Sequence, residues 1–294
     1  MSEARRIPLS TGIALNVSFA GPSDAPPVVL LHGFPESHRT WREVAPRLEQ
    51  RFRLIMPDQR GFAGSDRPQA VAAYKPDQLV ADVFALAEAL GLASFSLVGH
   101  DWGGAVAWAA ALKGDSRVGR LAIINSPHPW LFQKSLIEDP AQRAASQYIY
   151  VFRAPGFEAM VEAKGFDWFF ERTFSGHVDP AAIPQAEKRL YIEQWSRPGA
   201  LTAMLNWYRA SPLVVPPPGV TVPLPDFLLR LAPKIRIPTL VVWGMRDKAL
   251  LPVQLDDLDE LVEDLRIVRL PDAGHFVPWE APGDVASTLG DFLG

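Results

Sequence analysis

Six short apolar runs, each stopped by turn residues, constrain the fold of this chain more than any other feature. Residues 27–31 end at His32-Gly33, 52–56 at Pro57-Asp58, 95–98 at Gly99-His100 and 121–124 at Asn125-Ser126-Pro127. Residues 240–243 end at Gly244 and 266–270 at Pro271. These runs have strand length and are rich in β-branched residues. Their apolarity is continuous rather than alternating, which predicts strands buried on both faces, as in parallel sheets. Between them Leu79, Val83, Leu86 and Leu90 follow helical spacing, with Asp77 near the start and Gly91 at the stop. Strand alternating with helix predicts a mostly parallel sheet flanked by helices. Residues 13–17 alternate instead, and are expected to form an antiparallel edge strand.

The rhythm breaks over residues 128–234. This stretch holds helix-like segments rich in aromatics, including Phe152, Phe157, Trp168, Phe169, Trp195 and Trp207, and closes in a Pro-rich loop around Pro216-Pro217-Pro218-Gly219. An insertion between two sheet strands is expected to be a helical cap over the strands' carboxyl ends, where open α/β sheets bind ligands. The domains predicted are thus a core of residues 1–127 and 235–294 and a cap of residues 128–234. With 294 residues, 48% of them hydrophobic, the chain can bury a core of that size.

A net charge of -4 without a basic cluster argues against nucleic acid as a partner. The start of the chain carries basic residues but no apolar segment behind them, so no signal peptide is read. No apolar run reaches the roughly 18 residues that span a bilayer. A cytoplasmic protein is expected, with no membrane partner. Cysteine is absent, which removes disulfides, thiol nucleophiles and Cys-ligated metals. No His/Asp/Glu spacing suggests a metal site, and neither metal nor cofactor is expected. Oligomeric state is unreadable from the pattern; a homodimer is left open.

The strongest local signal is Gly99-His100-Asp101-Trp102-Gly103-Gly104, between a predicted strand and the helix-like residues 105–110. This is the strand–turn–helix context of a nucleophile elbow. The tight turn needs small residues two positions either side of the nucleophile, here Gly99 and Gly103. The elbow residue is Asp101, where Ser is usual. A carboxylate makes only an easily reversed anhydride with an ester or amide. At an sp3 carbon it can displace a leaving group and form an alkyl ester. Suitable electrophiles carry strain or a good leaving group, such as an epoxide or a carbon–halogen bond.

The order nucleophile, acid, histidine selects Asp247, after the strand at 240–243, and His275, after the next strand. Both should lie on loops at the sheet's carboxyl edge. Asp272, three residues before His275, is the competing acid and is read as shaping the turn. Asp101 must be ionised to attack, His275 neutral to take a proton from water, and Asp247 should hold the imidazole tautomer. Oxyanion donors are expected from the backbone N–H of Trp102 and of Phe34, in His32-Gly33-Phe34-Pro35. Pro35 has no N–H and can only shape that loop.

Together these motifs resemble the α/β-hydrolase family of epoxide hydrolases, with haloalkane and fluoroacetate dehalogenases as near relatives. The Gly-His-Asp-Trp-Gly-Gly elbow is most similar to the epoxide hydrolases. The resemblance runs from about Pro8 to the C-terminus and implies the α/β-hydrolase fold. It also implies two cap tyrosines that hydrogen-bond the epoxide oxygen. Tyr148, just before Ala154-Pro155-Gly156, and Tyr208, in Asn206-Trp207-Tyr208-Arg209, match their contexts, with Tyr150 as the substitute for Tyr148. Phenol donors suit the alkoxide that ring opening develops. Tyr191 is read as cap packing. One departure stands out. Where the family reads Asp-x-Arg-Gly-x-Gly-x-Ser, this chain has Ala63 in place of the second Gly. If that position needs a positive φ, either Ala63 bears about 1 kcal/mol of strain or the turn shifts onto Gly64.

The expected reaction is therefore epoxide to vicinal diol. Asp101 forms the ester, Tyr148 and Tyr208 polarise the oxygen, and water activated by His275-Asp247 hydrolyses the ester. The expected partners are a small apolar epoxide and water. His32, Pro35, Phe152 and Trp207 are expected to line the substrate pocket. The rival from the same fold is a haloalkane or haloacid dehalogenase, with Trp102 as a halide donor through its indole and Arg60 or Arg153 as carboxylate ligand. A non-enzymatic receptor of the same fold ranks last, since it need not keep nucleophile, acid and base together.

Overall fold

The computed structural model describes residues 3–178, 183–230 and 232–294. Eight strands form one sheet in the order β1-β2-β4-β3-β5-β6-β7-β8. The strands are β1 (Glu3–Pro8), β2 (Ala14–Ala20), β3 (Pro27–Leu31), β4 (Arg53–Pro57), β5 (Phe95–His100), β6 (Val118–Ile124), β7 (Thr239–Gly244) and β8 (Leu265–Leu270). From β4 through β8 every pairing is parallel. β1 and β2 are antiparallel to their neighbours. The alternating segment at 13–17 is thus antiparallel as expected, but it is not the edge. The edge is β1, built from the basic residues at the N-terminus. Their exposed side chains carry no apolar periodicity. What recruits them is the open hydrogen-bonding side of β2, a partner that local pattern cannot show.

The central strands are buried on both faces because two cores sandwich them. Val29, Leu31, Leu97, Leu121 and Ile123 face one way, towards the helices Pro76–Ala89 and Trp102–Leu112. Val28, Leu30, Val98, Ala122 and Ile124 face the other, towards Trp41, Leu48 and the helix Pro282–Leu293. Successive residues of one strand point to opposite faces, so both cores demand apolar residues and the run becomes continuous.

Between β6 and β7 the chain leaves the sheet and forms seven helices among the described residues, from Pro129–Glu138 to Ala200–Ala210. His128 caps the first, accepting a hydrogen bond from the Trp130 N–H at 3.3 Å. Buried aromatics join these helices to one another, with Phe170, Phe174, Tyr191 and Trp195 in contact. Indole donors tie them to the sheet's loops. Trp195 Nε1 donates to the Pro35 carbonyl at 2.7 Å and Trp207 Nε1 to the Arg60 carbonyl at 2.9 Å. Gln142 adds two more ties, donating to the Ala249 carbonyl and accepting from the Leu251 N–H, each at 2.8 Å. The Pro-rich stretch after residue 210 is irregular apart from a short turn of helix at Asp226–Leu229. No helix among the described residues is long and apolar enough to cross a membrane.

Candidate active site

β5 ends at His100 and the helix Trp102–Leu112 begins two residues later, leaving Asp101 alone at the turn with φ 51 and ψ -122. That conformation is strained for a residue with a side chain. The surrounding backbone holds it. The Asp101 N–H donates to the Ile124 carbonyl at 3.3 Å, and the Ser126 hydroxyl donates to the Asp101 carbonyl at 2.7 Å. The flanking glycines are required by space. A Cβ on Gly99 would stand 2.4 Å from the Gly103 carbonyl oxygen, and one on Gly103 would stand 2.3 Å from that of Leu31. A Cβ on Gly33 would strike the Asp101 carboxylate itself, at 2.3 Å. The Phe34 N–H, one residue on, donates to Asp101 Oδ1 at 2.7 Å.

The other carboxylate oxygen faces His275, with 3.6 Å between Oδ2 and Nε2. His275 Nδ1–H donates to Asp247 Oδ2 at 2.7 Å, so the proton on Nδ1 leaves Nε2 aimed at Asp101. Asp247 is in turn saturated. Its Oδ1 accepts from the N–H groups of Ala249 and Leu250 at 2.8 and 2.9 Å, and its Oδ2 from Asn125 Nδ2 at 2.8 Å. Asp272 is not the acid: it is exposed and paired with Arg246.

The electrostatics follow from this arrangement. Burial alone would raise the pKa of Asp101, but the hydrogen bond and charge of His275 outweigh it and hold the carboxyl below its ordinary range. Burial opposes ionisation of Asp247 too, and His275 again reverses the direction. For His275 burial works downward. The Asp247 carboxylate and then Asp101 overcome it and set the imidazole well above its ordinary value.

Tyr148 and Tyr208 line the same two cavities as Asp101. Their rings meet edge-on at 6.2 Å between centroids. Burial raises both phenols, aided by the Asp101 charge, so they stay protonated donors. Tyr150 is no substitute: it is exposed and its hydroxyl donates to the Val215 carbonyl. Trp102 lies edge-on against Tyr208, with 5.1 Å between ring centroids.

Among the residues expected to line the pocket, Phe152 and Trp207 do so, one in each cavity. His32 and Pro35 line neither. The His32 ring is fully buried, with Nδ1–H donating to the Gly33 carbonyl at 2.9 Å and Nε2 accepting from the Gln59 N–H at 3.0 Å. It braces the loop that carries Phe34. The Pro35 peptide bond is cis, and its carbonyl serves Trp195. This loop turns only the Phe34 ring into the cavity. Arg60 and Arg153 are also spent elsewhere. Arg60 is bidentate to Asp82 at 2.7 Å, and Arg153 donates to the carbonyls of Tyr208, Ser211 and Leu213.

Three supporting residues escape the sequence reading. Asn125 bridges Asp247 and the Gly244 N–H, the latter at 2.8 Å. Glu280 accepts from the N–H groups of Gly274 and Phe276 at 2.7 and 2.8 Å and so shapes the loop of His275. Glu36, fully buried, faces His100 Nδ1 at 3.6 Å, while His100 Nε2–H donates to the His275 carbonyl at 2.8 Å. Asn125 was visible as the stop of a strand between those of Asp101 and Asp247. Nothing local marks the other two. Ala63 takes a φ of 40, so the turn does not move onto Gly64 and the alanine carries the left-handed conformation. Among the described residues, no three His, Asp or Glu side chains cluster as metal ligands.

The α/β hydrolase fold family matches the chain over residues 26–282. The AB hydrolase superfamily protein YfhM of Bacillus subtilis is 32% identical over 97% of this chain and 96% of its own length. Epoxide hydrolase 3 of Xenopus tropicalis is 30% identical over 96% of this chain and 75% of its own. Among solved structures, one of novel epoxide hydrolases from metagenomes of hot environments superposes with a TM-score of 0.90 at 47% identity, covering 100% of this chain and 99% of the other. A mutant epoxide hydrolase of Bacillus megaterium, complexed with its naphthyloxy-propanediol product, gives 0.87 at 26% identity over 98% of this chain and 99% of the other. By fold, by the site's placement and by these relatives, the chain belongs to the α/β-hydrolase family, in the group that holds the epoxide hydrolases.

Proposed function

We propose that this protein is an epoxide hydrolase that converts an epoxide to a vicinal diol through an ester on Asp101. One observation carries the reading most directly: two protonated phenols, Tyr148 and Tyr208, share their cavities with an ionised carboxylate at a nucleophile elbow. In the first step Asp101 Oδ2 attacks an epoxide carbon and the C–O bond breaks. The alkoxide takes hydrogen bonds, and then a proton, from the tyrosine pair. Oδ1, already held by the Phe34 N–H, becomes the ester carbonyl oxygen.

In the second step His275 takes a proton from water, and the hydroxide attacks Cγ of Asp101. The Phe34 and Trp102 N–H groups receive the oxyanion. Collapse breaks the ester C–O bond; the departing alkoxide takes the proton held by His275 and leaves as the diol, and the new Asp101 carboxyl gives its proton back to the tyrosinate, which restores the carboxylate. Esterification itself prepares this step. It removes the negative charge of Asp101, one of the two that raise the pKa of His275, and so releases the imidazole towards its neutral form. On this reading the inserted helices, residues 128–234, act as a cap that supplies the tyrosines to a core of residues 1–127 and 235–294.

Dehalogenation is not favoured. Three of the four relatives named above are epoxide hydrolases. Neither Arg60 nor Arg153 lines either cavity. The test is diol formation from a panel of aryl and alkyl epoxides, followed by chromatography, with Asp101→Asn as control. Diol from the wild type, reduced about 10³-fold or more in the variant, is the expected outcome. Folded wild-type protein that forms no diol but releases halide from haloalkanes would sink the proposal.

A further inference from the structure

Two cavities meet at Asp101, and they are chemically unlike. Both are lined by Asp101, Tyr148 and Tyr208, so a molecule whose epoxide lies among these groups extends its substituents into both. The smaller, about 160 Å³, runs between Trp102, Val106, Phe132, Trp207 and Leu213, and its lining has no charged side chain beyond Asp101. An engineered dry cavity of about 150 Å³ takes up benzene, so this arm suits a phenyl ring or a short alkyl group. The larger, about 670 Å³, passes Phe34, Phe152 and Trp168 and is also lined by Arg172 and Lys248. Both cations are exposed, and neither pairs with an acid among the described residues. Among the described residues, Asp101 is the one carboxylate in either lining.

These arms sort the substituents of an epoxide. A charged group placed in the smaller arm would lose its water and gain no partner, which is strongly disfavoured. A cationic group in the larger arm would meet like charges at Arg172 and Lys248. An anionic group there meets opposite ones while it keeps contact with solvent. We infer that the preferred substrate is an amphiphilic epoxide with a compact apolar group on one carbon and, on the other, a chain ending in an anion that Arg172 and Lys248 receive. This rests on the epoxide-opening reading of the same site. It also gives the bound epoxide a direction, because only one orientation satisfies both arms.

The experiment compares a phenyl epoxide carrying an alkyl carboxylate on its second carbon with the primary amide of the same skeleton. Both are given to wild type and to Arg172→Gln, Lys248→Gln and the double variant, with circular dichroism confirming the fold. Wild type should favour the carboxylate about three- to tenfold in kcat/KM at low ionic strength, the range expected of two solvent-exposed ion pairs. The preference should shrink as salt is raised and fall to near unity in the double variant. Equal use of carboxylate and amide by wild type would overturn the inference, as would a preference that survives the double substitution. In either of those cases diol from the amide leaves the epoxide hydrolase reading standing. If neither compound yields diol, both fall together.

Discussion

The residue that sets this site apart is an aspartate where most elbows carry serine, and its neighbours make the exchange workable. Its Oδ1 is held by a backbone N–H and its Oδ2 is left facing His275. A residue that forms the ester but does not hydrolyse it can be isolated on this scheme. His275→Gln should accumulate the alkyl-enzyme, seen as a mass increase equal to the substrate on the peptide containing Asp101. An unmodified peptide after incubation would break the two-step scheme. The two steps should also part company in pH. Asp101 titrates below the ordinary carboxylate range, so alkylation should stay level as pH falls towards that range. Hydrolysis needs neutral His275, so its rate should rise with pH, with a midpoint below that of His275 in the free enzyme, since the ester carries no charge. Single-turnover rates for each step across pH provide the check, and parallel profiles for the two would count against it.

At the scale of elements, the elbow works because a strand and a helix approach more closely than any side chain allows. Gly99→Ala would push a Cβ against the backbone of Gly103, which cannot swing aside as a side chain can. The variant should lose about 1–3 kcal/mol of stability, as overpacked cores do, and most of its activity, since the turn that holds Asp101 must open. Urea unfolding beside a diol assay measures both; a fully stable and active variant would refute the spacing argument. The sequence pattern read this element correctly because the glycines, the strand and the helix are contiguous. It put the edge of the sheet at residues 13–17 for the opposite reason. β1 is made by pairing with β2, and none of its own residues announce it.

For the whole molecule, burial of titratable groups ties stability to pH. His32, His100, His128 and the part-buried His177 are lowered to about 4, chiefly by loss of water. The unfolded chain binds protons at these histidines from its ordinary value near 6.5 downward, while the folded chain resists until about 4. Stability is therefore lost as pH falls between those values. Glu36 acts the other way: burial raises it to about 7 from 4.5, so the folded chain binds its proton first and stability falls as pH rises through that window. Four histidines against Glu36, with Glu280 also raised by burial, leave a net uptake of two to three protons on unfolding. At about 1.4 kcal/mol per proton per pH unit, stability should fall by about 3–4 kcal/mol per unit between pH 6.5 and 4.5. Urea midpoints at pH 7 and pH 5 read this directly, and a flat response would mean the histidines are hydrated in solution.

The sequence alone determined the rhythm of strand and helix, the point where the insertion leaves the sheet, and the order of Asp101, Asp247 and His275 along it. All of these are written in contiguous residues: apolar runs, turn residues at their ends, glycines two places from the elbow. Tertiary structure decided what depends on direction and on distant partners. It turned Tyr148 inward and Tyr150 outward, two residues apart on one short helix. It paired Asp272 with Arg246 and gave His275 to Asp247. It closed His32 into the wall behind Phe34, and it recruited Asn125, Glu280 and Glu36 from separate parts of the chain. The two unlike arms of the site likewise exist only where the inserted helices meet the sheet. Periodicity reports which face a residue occupies on its own element. Which neighbour that face then meets is settled by packing between elements, and no local pattern encodes it.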